Sequence, residues 1–145
     1  MKSPRARFDP PESKTPRIQE NPTSFLSRRP SWRISRMDMA DPFGWHDVDK
    51  TTLQYIRMKL AEIEQRTWQE ILLVSATHNH VVKVDGLCRM AKDRLTSMRL
   101  DDVDELLSLR LAAKERVWGI LSDGICTLIW WDPSHEVYPS LLKHT

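Results

Sequence analysis

Arg110, Arg116, His135, Tyr138, Lys143 and His144 all fall in the last third of this 145-residue chain. Cleaving a phosphodiester without a metal needs a base for the attacking hydroxyl and an acid for the leaving oxygen. It also needs cations for the charge that builds on the phosphoryl oxygens. His135, His144 and Tyr138 are candidate proton carriers, with Glu115 and Glu136 as carboxylate alternatives. Arg110, Lys114, Arg116 and Lys143 supply positive charge, and Trp118 or Trp131 could stack a base for roughly 1–3 kcal/mol. A structural account stands beside each. Arg116 can pair with Glu115 or lie over Trp131, His135 can cap the turn after Asp132-Pro133, and Lys143 and His144 can be a frayed terminus. None of these roles calls for a metal or cofactor. His78 and His80, with Cys88 or His135, would make a metal set, but two histidines in a polar loop are more often surface residues. No Gly-rich phosphate loop, Cys-x-x-Cys pair, His-Glu-x-x-His helix or Gly-x-Ser-x-Gly elbow occurs, which argues against nucleotide-binding and common hydrolase chemistries.

The elements that must position these groups are legible in the apolar spacing. Leu53, Ile56, Leu60, Ile63, Thr67 and Ile71 recur at intervals of three and four, predicting one helix from Val48 to about Val74 with Asp47 or Asp49 as its N-cap. A second helix follows Asp85, burying Leu87, Cys88, Ala91, Leu95 and Met98. "LLSLRL", "ERVWGIL" and "ICTLIWW" read as strands, the last two joined at Asp123-Gly124, a strong two-residue hairpin signal. That turn pairs Ser122 with Ile125, Ile120 with Thr127, Trp118 with Ile129 and Arg116 with Trp131. Val117, Leu121, Cys126, Leu128 and Trp130 then share an apolar face, and Arg116, Trp118 and Trp131 share the face left open. The expected fold class is α+β, with two N-terminal helices packed on one face of a three- to four-stranded antiparallel sheet.

Composition bounds the rest. The chain is long enough for one domain, has no apolar run of membrane-spanning length and has no secretory signal. Its two cysteines fit no disulfide framework. A cytoplasmic protein is expected. Residues 1–36 carry nine Lys or Arg against three Asp or Glu, and six of the nine prolines. Residues 1–40 are therefore expected to be a disordered basic tail, with a single domain over 41–145. The tail reads as a nucleic-acid tether, as an organelle transit peptide, which three acids and six prolines disfavour, or as sequence upstream of a true start at Met37 or Met39.

"DELLSLRL", "AAKE", "RVWGIL" and "ICTLIWW" together resemble the RelE/ParE superfamily of bacterial toxins, and the Lys-His-Thr ending is similar to a phage- and plasmid-borne subgroup. The resemblance covers about Asp85 to Thr145. It implies a RelE-like fold and cleavage of messenger RNA, often on the ribosome, with an antitoxin as partner. On it, Arg116 matches the strand arginine that stabilises the scissile phosphate and Arg110 the arginine of the preceding strand. His135, Tyr138, Lys143 or His144 matches the C-terminal acid–base group. The alternative is a non-catalytic interaction module, either a gyrase-inhibiting ParE-like toxin or a phage accessory protein. It would use the Trp118/Trp131 face and the acidic stretch Asp101–Glu105.

Overall fold

The computed structural model describes residues 24–74 and 78–139. Among the described residues five strands form one sheet: β1 (Ser31–Arg33), β2 (Asn79–Lys83), β3 (Glu105–Ala112), β4 (Glu115–Ser122) and β5 (Ile125–Asp132). Their order is β1-β5-β4-β3-β2, with β1 parallel to β5 and every other pair antiparallel. The α-helices α1 (Lys50–Glu64) and α2 (Arg89–Ser97) pack against the sheet. Among the described residues no helix is long and apolar enough to cross a membrane.

The α+β class is as expected; the expected architecture is not. The sheet is five-stranded and mixed rather than three- to four-stranded and antiparallel, and the helices lie on opposite faces. Ile56 and Ile63 of α1 cluster with Leu107, Leu109, Val117 and Trp131. Ala91 and Leu95 of α2 cluster with Leu106, Trp118, Ile129 and Trp130. Consecutive strand residues thus feed different layers, which is what alternation requires when both faces are covered.

Residues assigned by composition to the tail also join the fold. β1 supplies an edge strand, and Phe25, Leu26 and Trp32 pack on the α1-side core. Asp38, only 2% exposed, receives two hydrogen bonds from the Arg94 guanidinium at 2.9 and 3.0 Å. It also accepts the Trp130 indole N–H at 2.8 Å. A buried carboxylate is tolerable only when paired and hydrogen-bonded in this way.

The expected long helix stops at Glu64. Asp49 caps its start, accepting Thr52 N–H at 2.7 Å. Beyond it, Thr67 and Glu70 form a reciprocal capping box: Thr67 N–H donates to Glu70 Oε1 at 2.9 Å and Glu70 N–H to Thr67 Oγ1 at 3.3 Å. This begins a separate short segment that ends in a π-turn over Glu70–Val74. Trp68 fixes the break, because its backbone N–H donates to Arg28 O and its indole N–H to Gly124 O, both at 2.9 Å.

Asp123 and Gly124 form the β4–β5 turn with φ of 53° and 81°, both in the left-handed region that such a turn demands. Ser122 meets Ile125 and Ile120 meets Thr127 as expected, but then the register slips. Gly119 pairs with Leu128 while Trp118 pairs with Trp130, leaving Ile129 as an extra residue in a β-bulge. Gly119 suits this spot: a Cβ there would lie 2.6 Å from Cys126 Sγ and 2.7 Å from Thr127 O. The displaced Ile129 carbonyl accepts Asp38 N–H at 2.9 Å and Trp45 Nε1–H at 3.0 Å. In consequence Arg116 stands opposite Asp132, not Trp131.

Candidate active site

Two rows of side chains cross the α2 face of the sheet. In the first, His80 is opposite Ser108, Ser108 opposite Trp118 and Trp118 opposite Trp130. In the second, Arg110 is opposite Arg116 and Arg116 opposite Asp132. The apolar part of this face lies under α2. Its polar end carries His80, Arg110, Arg116 and Asp132, one group from each of four strands.

Asp132 organises the segment that follows. Its carboxylate is 1% exposed and accepts Trp118 Nε1–H at 3.2 Å, Glu136 N–H at 2.8 Å and Val137 N–H at 3.0 Å. Val137 is buried, and its carbonyl accepts Cys88 N–H at 2.8 Å, which ties the segment to the start of α2. Between these anchors His135 adopts φ 59°, a left-handed conformation that histidine tolerates better than most residues. The sharp turn carries its imidazole into the field of Arg116.

The electrostatics of this corner are positive. Burial lowers the Arg116 pKa and the adjacent Arg110 charge lowers it further, with Asp132 opposing. Neither arginine forms an ion pair among the described residues. One Arg116 nitrogen donates to Ala113 O at 2.7 Å and Glu115 O at 3.1 Å, which steadies the guanidinium on its own turn. Burial pushes the His80 imidazole below its usual pKa, and Arg116 adds to the effect. His135 is lowered by burial and by Arg116, with Asp132 pulling it up and His80 and Lys114 pushing it down. Both imidazoles are thus biased toward their neutral, proton-accepting form.

The sequence candidates divide accordingly. Arg110, Arg116 and His135 come together, with Lys114 close enough for its charge to act on His135. Tyr138 instead lies over Gly86, where an added Cβ would meet its ring at 2.8 Å. Lys143 and His144 lie outside the described residues. Trp118 is 1% exposed and Trp131 8%, so the expected open aromatic face is absent. The bulge turned Trp131 into the α1-side core against Trp45, ring centroids 6.5 Å apart, and α2 covers Trp118. Glu115 is taken by the Tyr55 hydroxyl at 2.5 Å, a bond that raises the Tyr55 pKa to about 12. The one group of three metal-ligating side chains among the described residues is Asp41, His46 and Asp47, all exposed, not a set built on His78 and His80.

His80 and Asp132 were not among the catalytic candidates. Alternation in "NHVVK" would have placed His80 on the same face as Val82. Asp132 ends an apolar strand just before proline, where a carboxylate commonly caps the next turn. Comparison with family models, with curated proteins and with solved structures found no match.

Proposed function

We propose that this chain is a metal-independent endoribonuclease acting on messenger RNA in the cytoplasm. The observation that carries the reading is the cross-strand pair Arg110 and Arg116 at the polar end of the α2 face, with His80 and His135 near enough to feel the Arg116 charge. His80 accepts the ribose 2′-OH proton as that oxygen bonds to phosphorus. The bond from phosphorus to the 5′-oxygen breaks, and His135 donates a proton to the leaving oxygen. The products are a 2′,3′-cyclic phosphate and a 5′-hydroxyl. His135 suits the acid role because Asp132 supports its protonated form, whereas His80 has no such carboxylate support. Arg110 and Arg116 stabilise the anionic phosphorane.

Action as the toxin of a toxin–antitoxin pair rests on the likeness of the β3–β5 segment to RelE/ParE toxins, and an antitoxin would then be the partner. The interaction-module alternative loses its aromatic anchors, because Trp118 and Trp131 are buried. The test uses purified protein and RNA in excess chelator. Cleavage should leave cyclic-phosphate ends, fail at a 2′-deoxy site, and fall about 10²-fold or more in Arg116→Ala and His80→Ala. Induced expression should arrest growth unless Arg116 is replaced. Cleavage indifferent to both substitutions, or no cleavage at all, overturns the proposal.

A further inference from the structure

A second basic feature adjoins this corner on the α1 side. A concavity of about 200 Å³ opens between the C-terminal half of α1 and the edge formed by β2 and β3. Lys59, Arg66, His78 and Arg110 line it, against one carboxylate, Glu62. Lys59, Arg66 and Arg110 are half-buried, and none forms an ion pair among the described residues. Lys59 and Arg66, half-buried in one small polar cleft against a single carboxylate, leave an excess of positive charge that an anion balances.

The cleft is also built rather than incidental. Asn79, 3% exposed, accepts the Arg110 backbone N–H at 3.0 Å and donates to Ile71 O at 3.4 Å. It thereby fixes the strand edge against the segment after α1. Lys59 sits 5.8 Å from the centre of the Tyr55 ring, a cation–π placement that holds its stem along the helix. Arg110 joins the two features: its backbone N–H, held by Asn79, borders the cleft, while its side chain lies on the α2 face beside Arg116.

We infer that this cleft holds a second phosphate of the bound RNA strand, one flanking the phosphate at Arg116. The inference rests on the ribonuclease reading for the identity of the strand, but not for the existence of the anion site. Lys59 and Arg66 are binding residues here, not catalytic ones.

The test measures binding of a fluorescent, single-stranded 2′-deoxy oligonucleotide, which cannot be cleaved through a 2′-OH. Affinity is followed across a salt series for the wild type and for the Lys59→Ala/Arg66→Ala double variant. A matched thermal midpoint establishes that the variant is folded, and the Lys59→Gln/Arg66→Gln pair replaces it if the midpoint falls. Loss of one phosphate contact should weaken binding roughly tenfold and reduce the salt slope by about 0.7. In cleavage assays KM should rise with kcat nearly unchanged. Unaltered affinity and slope would overturn the inference. If the wild type cleaves no RNA, the binding arm alone still decides the cleft, so the two proposals fail separately.

Discussion

The indole N–H of Trp118 donates to the carboxylate of Asp132 across β4 and β5 at 3.2 Å. Through this bond a buried tryptophan on the sheet floor fixes the turn that presents His135. Asp132 is thus a positioning residue for the proposed acid, and its other hydrogen bonds show how: it holds the N–H groups of Glu136 and Val137.

Removing that carboxylate should uncouple stability from catalysis in a diagnostic way. Asp132→Ala strands two backbone N–H groups and one indole N–H, at about 2–4 kcal/mol in chemical denaturation. Asp132→Asn keeps an acceptor and should cost less than half of that. Its cleavage profile should still shift to lower pH, because the charge that supports protonated His135 is gone. An unchanged profile in Asp132→Asn would break the link between the two residues.

The histidines set a pH dependence of their own. Both have folded pKa values below the usual 6.5, so the pair is mostly neutral at pH 7 and a protonated acid is scarce. Cleavage should climb as the pH falls from 7.5, peak on the acid side of 6.5, and then fall as the base is protonated too. Stability follows the linkage for a depressed imidazole. The unfolded chain takes up protons first, so folding carries no cost above 6.5 and becomes progressively less favourable as the pH drops through the folded values. His80→Gln/His135→Gln should flatten this part of the thermal midpoint curve.

A chain starting at Met37 should be markedly less stable than the full chain. It lacks β1 and with it the Ser31–Arg33 pairing to β5. Phe25, Leu26 and Trp32 leave the α1-side core, and the 2.7 Å bond from Trp32 Nε1–H to Glu64 is lost. Full burial of such a side chain is worth roughly 1.5–3 kcal/mol, so three partly buried ones put the loss on the order of 3 kcal/mol. Equal denaturation midpoints for the two chains would show that β1 contributes nothing to stability.

Gly119→Ala tests the bulge. Its methyl would overlap Cys126 Sγ and Thr127 O, an overpacking cost of about 1–3 kcal/mol. Because the same strand places Arg116 opposite Asp132, cleavage should fall more than the lost stability alone explains. A variant as stable and active as the wild type would show that the strand accommodates the methyl by a shift of register-neutral kind.

Much of the fold could be read from periodicity, and its misreadings have physical causes. The Asp123-Gly124 turn and the strands around it follow from local chemistry that nothing distant overrides. An apolar stripe that continues across Thr67 predicts one long helix, although Thr67-Trp68-Gln69-Glu70 is itself a capping-box signature that starts a new segment. Strict alternation past Gly119 predicts an open aromatic face, and the bulge that a glycine inside a strand can mark removes it. Near-continuous apolar runs in β3, β4 and β5 also point to a sheet covered on both sides. At the site, Arg110, Arg116 and His135 were legible because they lie near one hairpin. His80 was not, since it reaches them only through the long-range pairing of β2 with β3.

The neighbouring indoles Trp130 and Trp131 lie in different hydrophobic layers, joined by a single peptide bond. Neither layer can loosen without dragging the strand the other depends on, so β5 acts as a mechanical tie between them. The two halves of the core should therefore melt in one cooperative step, and the corner formed by Arg116, Asp132 and His135 should keep its shape until that step arrives.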